Sequence, residues 1–291
     1  MTQEVAVITD SLACLTPETV KQYQVRILPI NLYFGDKVYR DGVDITPSEA
    51  YELFLKDPKY WATSAPPPAE CLKAFRDVSK KSRNILCITV SSKLSMVYES
   101  SLLAKEAAKT DLPGINIEVL NSHTATASEG FVALTAARAA AEGKNLDEVI
   151  KVAETTRDRV TMIALLDTMR HVYRSGRIPK IASQAASMLN IKPILTISPA
   201  GVVRFRGAVR NKEHGVNQLI SKMRNKVKEN PVHAAVMHAY AREEAEQLMK
   251  RVASEFDCVE LWLTEFSPVM GYACGTGTLG LAFYCDEARN Y

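Results

Sequence analysis

The sequence predicts an α/β protein of two domains, residues 1–158 with a largely parallel sheet covered by helices and residues 159–291 with a mixed sheet and helices. Three observations predict it. The chain has 291 residues, 47% hydrophobic and 24% charged, enough to bury two cores. Through its first half, short apolar runs rich in Val and Ile alternate with helical patterns, the order expected of strands joined by helical crossovers. In the second half the apolar runs Ile191–Ile197 and Val202–Arg206 are split only by Pro199-Ala200-Gly201, so a hairpin joins strands that elsewhere are spaced by helices.

Val5-Ala6-Val7-Ile8-Thr9 reads as a strand that stops at the polar pair Asp10-Ser11. Thr16-Pro17-Glu18 then opens a helix, with Thr as N-cap and Pro at the first helical position, where its missing N–H costs nothing. Val25–Leu28 returns to the sheet, and Asn31–Phe34 with Lys37–Tyr39 flanks Gly35-Asp36, a two-residue hairpin with Gly where a type II′ turn requires positive φ. Thr46-Pro47-Ser48-Glu49 is a capping box opening a helix that carries Ala50, Leu53 and Phe54. In Thr63-Ser64-Ala65-Pro66-Pro67-Pro68 the consecutive prolines exclude helix and strand, so two adjacent hydroxyls stand on a stiff loop as a polar clamp or as local turn bonds. Leu72, Phe75 and Val78 mark the next helix.

The central stretch is Ile85–Val90, a buried strand, followed by Ser91-Ser92-Lys93-Leu94-Ser95 and a helix bearing Met96, Val97, Leu102 and Leu103. Ser95 is the expected N-cap, and the free amides of Met96 and Val97 after it form a place for an anion at the carboxyl end of a parallel strand, although a capping Ser is by itself commonplace. Ile115–Leu120 is a half-exposed strand ending in a third polar turn, Asn121-Ser122-His123-Thr124. An Ala-rich helix runs from Ala127 to Glu142 and stops at Gly143, and another spans Leu146 to Arg157. Beyond it the run Val160–Leu166 begins the second domain, followed by a helix through Met169–Val172, the turn Arg174–Arg177 and a helix to Asn190. After the hairpin, a helix with Leu219 and Met223 ends at Asn230-Pro231, strands cover His233–Met237 and Cys258–Thr264 around a helix at Glu243–Phe256, and Leu279–Phe283 is a strand within a Gly-rich close.

The totals exclude several classes. Lys and Arg number 36 against 33 Asp and Glu, a net charge of +3, far from the basic stripe that nucleic acid binding needs. The six cysteines form no CxxC pair and have no His at ligand spacing, so reduced thiols and no metal are expected. No basic leader and no apolar run long enough to span a bilayer is present, and the cytoplasm is the expected address. Gly275-Thr276-Gly277-Thr278 lacks the GxxxxGK[ST] and GxGxxG patterns of nucleotide loops, and no GxSxG elbow exists, so neither cofactor nor catalytic residue is expected. His171 and His238 read as packing or surface imidazoles. Arg177 is read as facing inward from its turn, either solvated there or the counter-ion of an anion.

Val7-Ile8-Thr9-Asp10-Ser11, Thr63-Ser64-Ala65-Pro66, Ile88–Ser95, Gly176-Arg177-Ile178 and Lys192–Leu195 occur in the order and spacing of the DegV family, which the chain resembles over essentially its whole length. The resemblance implies a long-chain fatty acid held with its carboxylate on Thr63 and Ser95, within a ligand set of Asp10, Ser11, Thr63, Ser64, Ser92, Ser95, Met96, Val97 and Arg177. It also implies presentation of that carboxylate to a separate ATP-using fatty acid kinase, with Arg210 resembling the surface Arg that faces the kinase. The alternative is an enzyme or sensor using the same anion site for another acyl, carboxylate or phosphate ligand. The family's SGTY reads Ser95-Met96-Val97-Tyr98 here, which predicts that Met96 fills volume a Gly leaves open, and the His of its HTGPG is Ala273.

Overall fold

The computed structural model describes residues 4–57, 61–177 and 191–286. These residues form two compact units, one of 4–46, 61–158 and 199–202, the other of 47–57, 159–177, 191–198 and 203–286. Relative to a single cut after residue 158, residues 47–57 group with the second unit because Tyr51, 1% exposed, donates its hydroxyl to the Phe266 carbonyl at 2.9 Å.

The chain runs β1 (Val5–Asp10), a 3-10 turn (Ser11–Ala13), α1 (Pro17–Tyr23), β2 (Arg26–Leu28), β3 (Asn31–Phe34), β4 (Lys37–Arg40), α2 (Pro47–Lys56), β5 (Trp61–Ser64), α3 (Pro68–Ser79), β6 (Asn84–Thr89), α4 (Val97–Asp111), β7 (Asn116–Asn121), α5 (Ala127–Ala141) and α6 (Leu146–Arg159). Four strands pair in the order β2-β1-β6-β7, all parallel, with Val7 opposite Leu86 and Cys87 opposite Val119. β6 is central, and Ile85, Leu86, Cys87 and Ile88 are fully buried, as a strand covered on both faces must be. On one face Ile8, Ile85 and Cys87 pack with Cys71 and Phe75 of α3 and Ala104 and Ala108 of α4. Each large side chain buried there contributes about 1.5–3 kcal/mol.

α5 packs on β1 and β6, and its alanines let it lie buried on nearly every side. A Cβ at Gly130 would stand 2.4 Å from the Ala13 carbonyl oxygen, so the helix meets the 3-10 turn backbone to backbone. The Thr16 hydroxyl accepts from the Thr19 amide and starts α1, as its sequence predicts. β4-β3-β5 form a separate antiparallel sheet whose hairpin turns at Gly35, φ +57°. Thr63 and Ser64 thus end a strand rather than lie on a loop: Leu32 pairs with Thr63 and Asn31 with Ser64, the prolines beginning only after the ladder ends.

The second unit holds α2 with β8 (Thr161–Leu165), α7 (Arg170–Ser175), β9 (Lys192–Ile197), β10 (Val203–Val209), α8 (Lys212–Val227), β11 (Val232–His238), α9 (Arg242–Glu255), β12 (Cys258–Glu265), α10 (Pro268–Cys274) and β13 (Leu279–Cys285). Its six strands lie in the order β10-β9-β8-β13-β11-β12, antiparallel except for β11 with β12, giving the mixed sheet expected. Leu165, Ile194, Leu219, Val236 and Leu281 form its core. The expected helix to Asn190 lies outside the described residues. α10 was not expected, although Ser267-Pro268 carries the N-cap and first-position proline signature and Ser267 Oγ does accept from the Val269 amide at 3.3 Å.

Candidate functional site

Parallel pairing puts the carboxyl ends of β1, β6 and β7 at one edge of the first unit's sheet, where their polar turns bond to one another. The Ser91 amide donates to the Thr124 carbonyl at 2.8 Å, the Ser122 amide to the Thr89 carbonyl at 3.0 Å, and the Asn121 side-chain amide to Ser92 Oγ at 2.7 Å. Asp10, wholly buried, accepts the Leu12 amide on one oxygen at 3.0 Å and the Val90 amide on the other at 2.8 Å, which ties the end of β1 to the start of the β6–α4 turn. Burial pushes its carboxyl up to about 6 even against these two amides. Glu129 of α5, also fully buried, accepts from Thr9 Oγ1 at 3.1 Å. Burial, then the charge of Asp10 and a hydrogen bond to it, raise the Glu129 carboxyl well above its ordinary value. Asp10, expected in the ligand set, therefore has both oxygens engaged inside the fold.

The β6–α4 turn is built on Ser91, whose carbonyl accepts from the Leu94 and Ser95 amides at 2.9 and 3.2 Å. Its hydroxyl donates to the Gly201 carbonyl at 2.8 Å, Gly201 being at the tip between β9 and β10, in the segment that groups with this unit. Ser95 is not the N-cap of α4: that position is Met96, φ −84° and ψ 11°, with no side-chain cap, because the turn already carries Ser95 into the approach to the helix. Met96 is 62% exposed, so its side chain fills no buried volume, whereas Val97 is fully buried, backbone included.

Among the other expected ligand residues, Ser11 Oγ accepts from the Ile30 amide at 3.2 Å and Ser64 Oγ pairs with the Tyr33 hydroxyl at 3.2 Å. Ser92 is held by Asn121. The hydroxyls of Thr63 and Ser95, both half-buried, bond to no described residue. No hydrogen bond among the described residues joins Thr63 or Ser64 to the Ser91–Ser95 turn.

In the second unit, Arg177 is exposed rather than inward, because its Nη1 turns back to donate to the Ser175 carbonyl at 2.5 Å just after α7. Arg210, between β10 and α8, is exposed and makes no ion pair with a described residue. Around the late glycines, a Cβ at Gly275 would lie 2.3 Å from His171 Cδ2, so the imidazole against this segment comes from α7. His171 also packs on Phe54, ring centroids 5.3 Å apart. His238 is 5% exposed and accepts the Ala241 amide on Nδ1, and burial pushes it down to about 4. Both are packing imidazoles. Among the described residues no cluster of three His, Cys, Asp or Glu is placed to hold a metal, and no helix is long and apolar enough to cross a membrane.

The buried acids Glu129 and Asp10 are not legible as a pair in the sequence, since 119 positions separate them.

Residues 4–286 match the model of the family described as "Uncharacterised protein, DegV family". A DegV domain-containing protein of Clostridium perfringens is 31% identical over 280 residues, 96% of this chain and 98% of that protein. The crystal structure of DegV from Bacillus subtilis, described as a fatty acid binding protein, superposes with a TM-score of 0.87 at 25% identity, covering 98% of this chain and 100% of that one. A stearic acid-binding protein from Eubacterium ventriosum gives 0.88 at 26% identity, with 98% of each chain covered. A family model matched over residues 4–286 and a relative 31% identical over nearly the whole length make this chain a member of the DegV family.

Proposed function

We propose that this chain binds a long-chain fatty acid, receives its carboxylate on the hydroxyls of Thr63 and Ser95, and presents that carboxylate to a separate ATP-using kinase. The observation that carries the reading is that these two hydroxyls, of all those in the expected ligand set, have no partner among the described residues and so are available as donors. The fatty acid binding of the Bacillus subtilis and Eubacterium ventriosum proteins, which align over nearly the full chain, supports the ligand class.

The energetics are consistent with it. Each buried methylene contributes about 0.8 kcal/mol, so a long acyl chain gains on the order of 10 kcal/mol. Taking a carboxylate out of water costs several kcal/mol unless donors meet it. Charge-assisted bonds from two hydroxyls and the Met96 amide at the head of α4 offset that cost. The departure at Ala273 removes one family donor and leaves these three in place.

The test is mass spectrometry of an organic extract of the protein purified from a bacterial host, followed by titration of the delipidated chain with oleate and palmitate. A stoichiometric fatty acid is expected. No extracted lipid and no uptake of either acid would overturn the reading in favour of another carboxylate or phosphate ligand.

A further inference from the structure

Asp10 and Glu129 lie side by side with both residues wholly shielded from water, and neither forms an ion pair with a described residue. Two ionised carboxyls cannot share such a site, so a proton must be resident. The donors around them decide where. Asp10 has a backbone amide on each oxygen, Leu12 at 3.0 Å and Val90 at 2.8 Å, an arrangement that favours the charged form. Glu129 has one hydroxyl, Thr9 Oγ1 at 3.1 Å, on Oε1, while Oε2 is buried and meets no donor. An ionised Glu129 would leave that oxygen desolvated and unmatched; a protonated one becomes a donor to its neighbour.

We propose that Glu129 keeps its proton in the folded chain and donates it to Asp10, a positioning residue that lets Asp10 remain the carboxylate holding the Val90 amide at the start of the Ser91–Ser95 turn. The link to ligand binding rests on the fatty acid reading; the resident proton does not. Among the described residues, the other titratable groups facing the pair add no positive charge. Asp41, 3% exposed, repels Asp10 from beyond β4, and the thiols of Cys71 on α3 and Cys87 on β6 are both pushed upward by burial and stay neutral.

The consequence is proton uptake on folding. The unfolded Glu129 ionises at its ordinary value near 4.5, whereas the folded one does so well above it. Between those two values the folded state binds one proton more than the unfolded state, so stability falls as pH rises through that window and is greatest at its acid end. Each pH unit lowers the folding constant by up to about tenfold from this group alone. Asp10, raised to about 6, adds a slope of the same sign only below that pH.

The experiment is denaturant unfolding of the full chain between about pH 6.5 and 8.5, above the Asp10 window, for the wild type, Glu129→Gln and Glu129→Leu. Glu129→Gln keeps a donor without a titrating proton. The wild-type folding constant is expected to fall by up to about tenfold per pH unit relative to that of Glu129→Gln. Parallel pH profiles in the two would overturn the resident proton. Infrared spectra at neutral pH give a second readout: a carbonyl stretch of a protonated carboxylic acid in the wild type, lost in Glu129→Gln. Its absence from the wild type would overturn the proposal even if the Leu variant failed to fold. For the positioning role, oleate affinity should drop several-fold in Glu129→Leu and be restored in Glu129→Gln, and equal affinity in Leu and wild type would overturn that role. A wild type that takes up no oleate would remove the fatty acid reading while the pH profile still decides the proton.

Discussion

Ser91 and Ser95 stand in one turn and do different work. Ser91 Oγ is spent on the Gly201 carbonyl, and Ser95 Oγ bonds to no described residue, which leaves it for the proposed carboxylate. A hydrogen bond to a charged group is worth about 1.5–3 kcal/mol, so Ser95→Ala and Thr63→Ala should each weaken oleate binding by roughly ten- to a hundred-fold in calorimetric titration. A double variant with wild-type affinity would remove both residues from the headgroup site. Gly201 shows the opposite sensitivity: with φ +78°, its Cβ would stand 2.1 Å from Ser91 Oγ. Gly201→Ala should therefore lower stability by about 1–3 kcal/mol, seen as an earlier urea midpoint. Pro199-Ala200-Gly201 was readable as a hairpin turn from its residues. That its tip meets Ser91, 110 positions away, was not, because nothing local encodes it.

At the scale of the element, α5 shows how far local chemistry reaches. Its end is the expected Gly143, φ +83°, with the Gly143 amide bonded to the Ala140 carbonyl and the Lys144 amide to that of Ala139, a Schellman closure. Gly143→Ala should cost about 1 kcal/mol by forcing a side chain into the left-handed region, and an unchanged melting temperature would contradict it. Helix starts were less legible. The Ser95 cap failed because Leu94 and Ser95 both bond back to Ser91, so the chain is already turning before α4 begins. Thr63-Ser64 looked like loop because of the prolines behind it, yet pairing with β3 extends the strand through Ser64, one residue short of them.

For the whole molecule, a ligand that binds only the folded chain stabilises it in proportion to its occupancy. Oleate at about a hundred times its dissociation constant should add about 2.7 kcal/mol and raise the thermal midpoint, and a saturating titration without a shift would show that no folded-state site was filled. The proposed presentation to a kinase would make a separate demand on the surface. Arg210 is exposed and without an ion pair among the described residues. Arg210→Glu should leave oleate affinity unchanged and reduce acyl phosphate formation by a fatty acid kinase at least several-fold; equal turnover would take Arg210 out of the partner surface.

The sequence by itself determined the alternation of strands and helices, the Thr16 cap, the Gly35 and Gly143 turns and the order of family motifs, since each depends on residues within a few positions of one another. Only the tertiary structure decided which polar groups are consumed and which remain available. Asp10 belongs to Val90 and Glu129, Ser91 to Gly201, Ser64 to Tyr33, and Arg177 folds back on Ser175. Most of these partners lie far apart in the chain, and a hydroxyl or carboxyl has the same composition whether it meets a ligand or its own backbone. Burial and the direction of its hydrogen bonds, which exist only once the chain has folded, set that difference.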